Sequence, residues 1–496
     1  MNQLIRISNN DMVAVALTPL TAGSVVHVAG ADCSITLTED ITMGHKVALR
    51  DISEGESVIK YGFPIGQATA DIKAGSHVHT HNLRTLLSSG VTYSYNPTRP
   101  ALEPQEEHTY FKGYARANGH AGIRNELWII PTVGCVNDIA EALARKAHSL
   151  VGGGVENVRA FTHPYGCSQL GDDQEHTRTI LANFATHPNA GGVLVLGLGC
   201  ENSGVSEIRK RMGSFDVNRT RFLISQDVED ELETGFHMLE ELAGVMRGDT
   251  RVSCDVSKLV VGLKCGGSDG LSGITANPTI GGFSDLLISR GGTTILTEVP
   301  EMFGAETILM NRCKDEATFG KTVRLINDFK HYFEASGQPV YENPSPGNKA
   351  GGITTLEDKA LGCTQKSGSA TVVDVLQYGG RVSAQGLNLL SAPGNDLVAS
   401  TALAAAGAQI VLFSTGRGTP FGCPVPTVKI SSNSALAQHK AKWIDFNAGT
   451  LVEGGTLQEK SGDLYKFVME IAEGRKTRNE LNGFQGMAIF KTGTTL

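Results

Sequence analysis

The order of hydrophobic and polar positions divides the chain into three parts. The first part contains short apolar runs between turns and no sustained helical period, which predicts a small β module. From residue 113 onward, continuous apolar runs alternate with longer amphipathic stretches. That order is typical of parallel sheets that are covered by helices on both faces. The sequence therefore predicts an α/β multidomain protein, in which a small N-terminal β module is followed by two α/β domains with mainly parallel sheets.

The same pattern sets the expected boundaries. We place the β module at 1–95, a linker at 96–112, the second domain at 113–250 and the C-terminal domain at 251–496. The linker contains three prolines and three glutamates and has little periodicity, as expected of a connecting segment.

Individual elements follow from the longer apolar runs. In the second domain we predict strands at 127–134, 158–166 (running into a loop), 192–199 and 221–226, and helices at 137–150, at 173–187 and up to residue 246. In the C-terminal domain we predict strands at 259–263, 293–296 and 409–413, and a helix near 463–474.

The β module repeats the motif D-I-x-x-G-x-x-V, with copies starting at Asp40, Asp51 and Asp71. Each copy predicts a turn, with glycine at the position that needs a positive φ, followed by a strand. His45 follows the glycine of the first copy, and we interpret it as a plain turn residue. The third copy runs directly into a segment rich in histidine.

That segment carries His77, His79 and His81 at alternate positions. On an extended strand alternate side chains share one face, so the three imidazoles would point the same way. Imidazole is a common ligand of divalent transition metals. The spacing favours a half-site for a metal, completed by another part of the chain, over a polar strand that faces solvent.

Three cysteines occupy equivalent places in the second domain. Cys135, Cys167 and Cys200 each follow a glycine just beyond a predicted strand, and Glu201 is among their polar neighbours. Ligands of open α/β sheets bind outside the carboxyl ends of the strands. The cysteines are consistent with three interpretations: small buried hydrophobic residues, soft ligands of iron, or the ligands of an Fe–S cluster.

The C-terminal domain contains polar, glycine-rich loops after its predicted strands. A loop at 264–278 would bring backbone N–H groups and a lysine close to an anion, and an arginine between two glycines at 414–420 would suit a carboxylate. A further loop at 298–301 offers a carboxylate, and one at 343–352 is rich in glycine and proline; surface turns are the alternative for each loop. The polar candidates in these loops are Lys264, Cys265, Ser268, Asp269, Glu298, Glu301, Asn348, Lys349, Arg417 and Thr419.

Composition narrows the class of protein. The 496 residues are 40% hydrophobic and carry a net charge of −8, which gives no bulk attraction to nucleic acid or to anionic membranes. No run of 18 apolar residues occurs. Nine cysteines without a C-x-x-C pair argue against a disulfide framework or a structural zinc finger, so we expect a cytoplasmic protein.

Long sequence strings resemble the altronate/galactarate dehydratase family over essentially the whole chain. The strings are HVHTHN at 77–82, RNELWIIPTVGCVN at 124–137, THPYGCSQLGDD at 162–173, GLGCEN at 197–202, LKCGGSDGLSGITANP at 263–278, TEVPEMFGAE at 297–306, ENPSPGNKAGGITTLEDK at 342–359 and STGRGTPFG at 414–422.

The resemblance implies an N-terminal SAF domain, of the kind found in antifreeze-like proteins and sialic acid synthases. It also implies a metal-dependent hydro-lyase that converts D-altronate to 2-dehydro-3-deoxy-D-gluconate in galacturonate breakdown, with Fe²⁺ as cofactor and Mn²⁺ as substitute. The strings at 297–306 and 342–359 are closer to the altronate branch than to the galactarate branch.

On this basis we predict a role for each candidate residue. The metal would be held by His77, His79, Cys135, Cys200 and Glu201. The substrate would be bound by Ser268, Asn348, Lys349, Arg417 and Thr419, and Lys264 would help to hold its carboxylate. The proton at C2 would be taken by Asp269, Lys264 or His81.

Three alternatives stay open at this point. The substrate could be another sugar acid such as galactarate; Cys135, Cys167 and Cys200 could hold a [4Fe–4S] cluster with one open iron; or the chain could bind a sugar acid without converting it. We expect a small sugar acid as partner, no nucleic acid and no membrane, and a homo-oligomer is compatible with the sequence.

Overall fold

The computed structural model describes residues 2–87, 91–98, 102–103, 105, 109–493 and 495–496. Part of the predicted linker, residues 99–101, 104 and 106–108, lies outside this range. A strand already begins at Tyr110, inside the segment predicted as linker.

The β module forms two small sheets. Its strands are β1 (Leu4–Ile5), β2 (Val13–Ala16), β3 (Val25–Ala29), β4 (Cys33–Thr36), β5 (Lys46–Ala48), β6 (Ser57–Lys60), β7 (Phe63–Ala68), β8 (His77–Val78) and β9 (Leu83–Arg84). One sheet has the order β4-β3-β1-β2-β5-β8 and the other the order β6-β7-β9. The motif glycines Gly44, Gly55 and Gly75 all have positive φ, which confirms the turn predicted for each repeat.

The histidine segment is a strand only at its start. The strand β8 ends at Val78, and the backbone N–H of Asn82 donates to the carbonyl of His79 to close a turn. The predicted extended strand through His81 is therefore wrong. Asn82 causes the turn, because its side-chain oxygen also accepts the N–H of His79.

The second domain is a parallel sheet with helices on it. A small antiparallel sheet, made by β10 (Tyr110–Ala115), β11 (Ala121–Gly122) and a later strand, precedes it. The main strands are β12 (Glu126–Pro131), β13 (Asn157–Ala160), β14 (Ala190–Gly197) and β15 (Thr220–Ile224), and the helices are α1 (Asn137–Ala147), α2 (Gly171–Ala185), α3 (Val205–Met212) and α4 (Glu231–Met246). The sheet order is β13-β12-β14-β15, and every pair in it is parallel.

The C-terminal domain begins with β16 (Val252–Asp255), which completes the small antiparallel sheet by pairing with β10. Its own strands are β17 (Val260–Cys265), β18 (Thr293–Leu296), β19 (Val372–Leu376), β20 (Leu387–Leu390), β21 (Ile410–Thr415), β22 (Thr427–Ser431) and β23 (Phe446–Asn447). Its helices are α5 (Ala276–Ser289), α6 (Glu306–Met310), α7 (Glu316–Ala335), α8 (Pro346–Ala350), α9 (Leu356–Thr364), α10 (Asp396–Ala405), α11 (Ser434–His439), α12 (Leu457–Ala472) and α13 (Arg478–Asn482).

The seven strands of this domain have the order β19-β20-β18-β17-β21-β22-β23, and all of them are parallel. The predicted α/β architecture is thus confirmed. From β17 the chain first builds the sheet toward β19 and then returns to add β21 on the other side. A topological switch point therefore lies at the carboxyl ends of β17 and its two neighbours.

The β module packs against the C-terminal domain through a buried group of charges. The Asp358 carboxylate of α9 lies 2.8 Å from Lys46 Nζ and 2.8 Å from Lys60 Nζ, and all three side chains are at most 2% exposed. Leu361 joins the same apolar cluster as the core of the module. In the part of the chain that the structure describes, no helix is long and apolar enough to cross a membrane.

Candidate active site

A cavity of about 590 Å³ opens at the topological switch point of the C-terminal domain. Its walls come from the loop after β17, Glu301 in the loop after β18, the segment 342–349 with the start of α8, the face of α9 and the first residues of α10. Three of the loops predicted from sequence therefore contribute to one site, because the carboxyl ends of parallel strands meet at one edge of the sheet.

Two thiols and a carboxylate meet beside this cavity, and one of the thiols and the carboxylate line it. Cys265 ends β17, Glu301 follows β18, and Cys363 lies on α9. The Sγ atoms of the two cysteines are 3.3 Å apart, and Glu301 Oε2 lies 3.3 Å from Cys265 Sγ and 3.2 Å from Cys363 Sγ. All three side chains are buried. We call these three residues the thiol–carboxylate group.

Three lysines surround this group and balance its charge. Lys359 Nζ lies 2.7 Å from Glu301, and Lys366 Nζ donates to Cys265 Sγ over 2.8 Å. Lys264 pairs with Glu298 and, over 3.0 Å, with Asp396. Three ammonium groups thus face three carboxylates, so the net charge of the site is zero while both thiols keep their protons.

The pKa values reflect this network. Burial would raise the pKa of Glu301, but Lys359, followed by Lys264 and Lys366, holds it well below its usual range. The hydrogen bond with Cys265, followed by burial, raises the pKa of the Cys363 thiol well above its ordinary value. Burial would lower the pKa of Lys366, but the neighbouring thiols and Glu298 raise it, so this lysine stays charged.

Glu298 holds the network in place through an unusual backbone conformation. It has φ 68° and ψ 57°, in the left-handed region that residues with a side chain seldom adopt. Its carboxylate accepts the backbone N–H of Cys265 over 2.9 Å and contacts Lys366 over 3.4 Å. Such strain is typical of functional sites, where the surrounding contacts keep the residue in place.

The donor set of the thiol–carboxylate group fits a divalent transition metal. Among the described residues, it is the one group of three or more His, Cys, Asp or Glu whose ligand atoms all lie within 4.8 Å of one another. Loss of both thiol protons would leave a net charge of −2, which a dication would neutralise. Thiolate ligands suit iron or zinc, whereas Mn²⁺ prefers oxygen ligands, so Fe²⁺ fits this group better than Mn²⁺.

The residues predicted from sequence as metal ligands are not members of the thiol–carboxylate group. His79 Nε2 donates to the carbonyl of Lys349 over 2.9 Å, and its Nδ1 accepts the N–H of Thr80 over 2.7 Å. Both nitrogens of His79 are therefore occupied, which argues against the predicted metal ligation. Glu201 is occupied as well, because its carboxylate accepts the hydroxyl of Thr132 and two backbone N–H groups.

The cysteines at the edge of the second domain are exposed. Cys135 is exposed, Cys167 Sγ lies 3.6 Å from the side chain of Asn202, and Cys200 Sγ accepts from Gln226 over 3.8 Å. The five predicted metal ligands, His77, His79, Cys135, Cys200 and Glu201, do not form one set in the structure.

The histidines serve the contact between domains. His45 Nε2 donates to the carbonyl of Ala350 over 3.3 Å, which leaves its Nδ1 to accept from His77 Nε2 over 2.8 Å. The rings of His77 and His81 are 5.5 Å apart. We call His45, His77, His79 and His81 the histidine cluster. The interpretation of His45 as a plain turn residue is wrong, since its buried ring contacts α8, which lines the cavity.

Burial, followed by the charges of its neighbours His45, His79 and His81, lowers the pKa of His77 to about 3. Burial is also the main cause that lowers the pKa of His45 and of His79. His45, His77 and His79 are therefore neutral at physiological pH.

Two cations are suited to bind an anionic substrate. Lys349 lines the cavity and is half-buried. Arg417 is exposed and lies beside α8, where a β-carbon on Gly347 would be 3.7 Å from its Nε. Within the described residues neither side chain forms an ion pair, so both charges are available to a ligand.

The other predicted substrate ligands have structural contacts. Asn348 lines the cavity, accepts from Lys359 Nζ over 3.2 Å and donates to the carbonyl of Ser268 over 2.8 Å. Ser268 lies in a smaller neighbouring pocket, and its buried hydroxyl lacks a hydrogen-bond partner there. The Thr419 hydroxyl accepts the backbone N–H of Phe421 over 3.3 Å. Of these three, only Asn348 reaches the cavity.

Two of the three predicted bases have other roles. The Asp269 carboxylate accepts from Ser272, Ser432 and Asn433, so it fixes the loop after β17. Lys264 is fully buried, and Glu298, followed by Asp396, raises its pKa against the effect of burial. It stays protonated and cannot accept a proton. His81 is exposed and remains a candidate, while Asp396 is a carboxylate in the cavity wall that the sequence reasoning missed.

Lys359, Cys363 and Lys366 were missed too, although the sequence contained a signal. They are spaced by four and three residues, which places them on one side of a helix. The candidates predicted from sequence lie in loops after strands, whereas these three residues lie on the helix at 356–364 or directly after it.

Comparison with known proteins agrees with the division into three parts. The model described as "Altronate/galactarate dehydratase SAF domain" matches residues 2–86, "D-galactarate dehydratase/Altronate hydrolase, second domain" matches 113–247, and "D-galactarate/Altronate dehydratase, C-terminal" matches 256–495. The N-terminal β module is therefore a SAF domain.

Curated relatives cover the full length. The chain is 56% identical over 496 residues to altronate dehydratase of Escherichia coli (strain K12), and 54% identical over 499 residues to altronate dehydratase of Bacillus subtilis (strain 168), with 100% of each chain covered. It is 33% identical to galactarate dehydratase (L-threo-forming) of Escherichia coli over 475 residues, 89% of this chain and 88% of the relative. The chain belongs to the altronate/galactarate dehydratase family.

Proposed function

We propose that this protein is a hydro-lyase that removes water from D-altronate and gives 2-dehydro-3-deoxy-D-gluconate, in the breakdown of galacturonate. The observation that carries the proposal is the full-length identity of 54–56% to two altronate dehydratases. Identity to galactarate dehydratase is much lower, at 33%, which favours altronate over galactarate. A cytoplasmic location accords with nine free cysteines.

The cavity has the chemistry that this reaction needs. A six-carbon acid must be held by its carboxylate, lose the proton on C2 and lose the hydroxyl on C3; the resulting enol then becomes the ketone. Lys349 and Arg417 would hold the carboxylate through charge-assisted hydrogen bonds at the mouth of the cavity.

The C2 proton is weakly acidic, since the neighbouring carboxylate is already negative. We assign its removal to Asp396, a carboxylate that is 34% exposed and is held by Lys264 over 3.0 Å. Gly266 makes this position available, because a β-carbon there would come within 2.6 Å of the Asp396 carboxylate. His81 is the second candidate.

We further propose that the reaction uses Fe²⁺, or Mn²⁺ less well, held by Cys265, Glu301 and Cys363. When bound, the ion would stabilise the negative charge that develops on the substrate and help the C3 hydroxyl to leave. Lys359 and Lys366 would keep the carboxylate and the thiols in place.

Incubation of the enzyme with D-altronate or galactarate, with Fe²⁺ or Mn²⁺ added after chelator treatment, tests the proposal. We expect a 2-keto-3-deoxy acid from altronate, and a kcat/KM for galactarate at least about tenfold lower, which corresponds to a difference of about 1.4 kcal/mol in transition-state binding. Product from galactarate alone would refute the substrate assignment. No product from either acid would favour a binding protein. A brown protein whose visible absorbance is lost in Cys135→Ser would favour the cluster alternative.

Asp396→Asn tests the assignment of the base. We expect kcat to fall by about 10²–10⁴-fold, with bound metal and KM nearly unchanged. A kcat within threefold of the wild-type value would exclude Asp396 and leave His81 to be tested by His81→Asn.

A further inference from the structure

Cys265 and Cys363 are placed for chemistry with each other. Their Sγ atoms are 3.3 Å apart although the residues lie 98 positions apart in sequence. Other buried cysteines have different partners: Cys313 contacts the hydroxyl of Thr322, and Cys423 contacts that of Thr427. Among the described residues, Cys265 and Cys363 are the cysteines whose sulfurs share a hydrogen bond.

The two thiols differ in their surroundings. Cys265 lines the cavity, and the ammonium of Lys366 lies 2.8 Å from its sulfur. A positive charge at this distance stabilises the negative charge that develops when the sulfur reacts with a peroxide. Cys363 lies behind it on α9 and, among the described residues, receives no hydrogen bond from a lysine at its sulfur. Cys265 is therefore suited to react with the oxidant, and Cys363 is suited to form a disulfide with the oxidised Cys265.

We propose that Cys265 and Cys363 form a reversible oxidation site. The Cys265 sulfur attacks hydrogen peroxide, the O–O bond breaks, the thiol proton leaves with the departing oxygen, and sulfenic acid and water are formed. The Cys363 sulfur then attacks the sulfenic sulfur, its proton leaves with the departing hydroxide as water, and a disulfide results. The pair loses two electrons to the peroxide. A disulfide has an S–S length of about 2.05 Å, so the sulfurs must approach by about 1.3 Å.

Oxidation would dismantle the thiol–carboxylate group. The two sulfurs can then no longer serve as thiolate ligands, which leaves Glu301 as the remaining member of the group and Glu298 as the negatively charged partner of Lys366. The disulfide follows from the geometry of the two cysteines and Lys366, while its effect on catalysis rests on the proposed function.

Peptide mapping of the full-length, metal-free protein under non-reducing conditions tests the site. After treatment with hydrogen peroxide we expect a peptide pair joined between Cys265 and Cys363, which dithiothreitol separates. Cys423→Ser removes a buried cysteine elsewhere, and it should form the joined pair as the wild type does. In Cys363→Ser the reaction should stop at sulfenic acid, which dimedone would label at Cys265.

Several outcomes would overturn the proposal. One is that Cys265 and Cys363 remain thiols after the exposed Cys33, Cys135, Cys167 and Cys200 have been oxidised. Another is a dimedone label at Cys363 in Cys265→Ser that is as strong as the label at Cys265 in Cys363→Ser.

Preloading with Zn²⁺, which does not react with peroxide, separates this proposal from the proposed metal site. If the thiol–carboxylate group binds metal, Zn²⁺ should slow formation of the disulfide by at least about tenfold. A disulfide that forms at an unchanged rate would count against the metal site and leave the oxidation site supported.

Discussion

The contact between the SAF domain and the C-terminal domain depends on Asp358, and Asp358→Asn tests how strongly. The carboxylate pairs with Lys46 and Lys60 at 2.8 Å each, and none of the three side chains is more than 2% exposed. Asparagine keeps the volume but leaves two ammonium groups buried without a negative partner. Removing one partner from a buried ion pair costs about 3–5 kcal/mol. If the domain contact opens locally, amide exchange there should accelerate by about 10²–10⁴-fold, at 1.36 kcal/mol for each factor of ten.

Hydrogen exchange measured by mass spectrometry would localise this effect. We expect faster exchange in β2 and β5 of the SAF domain, with β14 of the second domain as an internal reference. Asp51→Asn is the matched control: Asp51 pairs with Lys73 at the same distance of 2.8 Å, but the two side chains are 62% and 72% exposed. Little change is expected there, because exposed pairs are screened by water.

The pH dependence gives a second readout. Burial, opposed by Asp358, lowers the pKa of Lys46 to about 8 from the ordinary value of 10.5. The unfolded chain therefore binds more protons than the folded protein between pH 8 and 10.5, so this lysine makes the wild type more stable as the pH rises through that window. In Asp358→Asn, Lys46 should lose its proton more readily, so the defect should shrink above pH 8. Exchange rates within threefold of wild type at pH 7 would refute the reasoning.

Three further predictions follow from the site and the domain contact. Lys349→Ala and Arg417→Ala should each raise KM for altronate by about 10–100-fold, while kcat stays within a few-fold of the wild-type value. Each substitution removes a charge-assisted hydrogen bond worth about 1.5–3 kcal/mol. An unchanged KM in both variants would exclude the two residues as carboxylate ligands. Because burial lowers the pKa of His77 to about 3, the folded state binds fewer protons than the unfolded state below pH 6.5. The domain contact should therefore weaken as the pH falls from 6.5 toward 3, and amide exchange in β5 should become faster. Constant exchange over that range would contradict this prediction. Gly270→Ala should strongly destabilise the domain contact, because its β-carbon would lie 1.9 Å from the carbonyl of Gly44. Gly248→Ala is the control, since a β-carbon there meets nothing within 4 Å. Equal thermal midpoints for the two variants would count against this packing.

The sequence predicted the α/β fold well, and three of the polar loops that it indicated line the cavity, because both features depend on local signals. Continuous apolar runs in alternation with helices determine a parallel sheet, and the ends of its strands determine where a cavity forms. Cys265, Lys349 and Arg417 were found in this way, since each lies in a polar loop after a strand or beside one. The Gly44, Gly55 and Gly75 turns were predicted because glycine at a repeated position indicates a positive φ.

The individual roles depend on contacts between distant parts of the chain, which the sequence does not display. Asp269 has the right residue type for a base, but four donors from two loops occupy its carboxylate. Lys264 stays protonated because Glu298, 34 residues later, and Asp396 lie beside it. His79 has the residue type of a metal ligand, but the backbone N–H of Thr80 and the carbonyl of Lys349 occupy its two ring nitrogens.

Metal content and altronate turnover, measured together on Cys363→Ser and Cys423→Ser after reconstitution with Fe²⁺, test the account most directly. Both variants replace one buried cysteine by serine, but only Cys363 belongs to the thiol–carboxylate group. We predict that Cys423→Ser keeps one bound iron per chain and near wild-type conversion of altronate, while Cys363→Ser loses most of both. Full iron content and full turnover in Cys363→Ser would show that the reaction does not depend on this group.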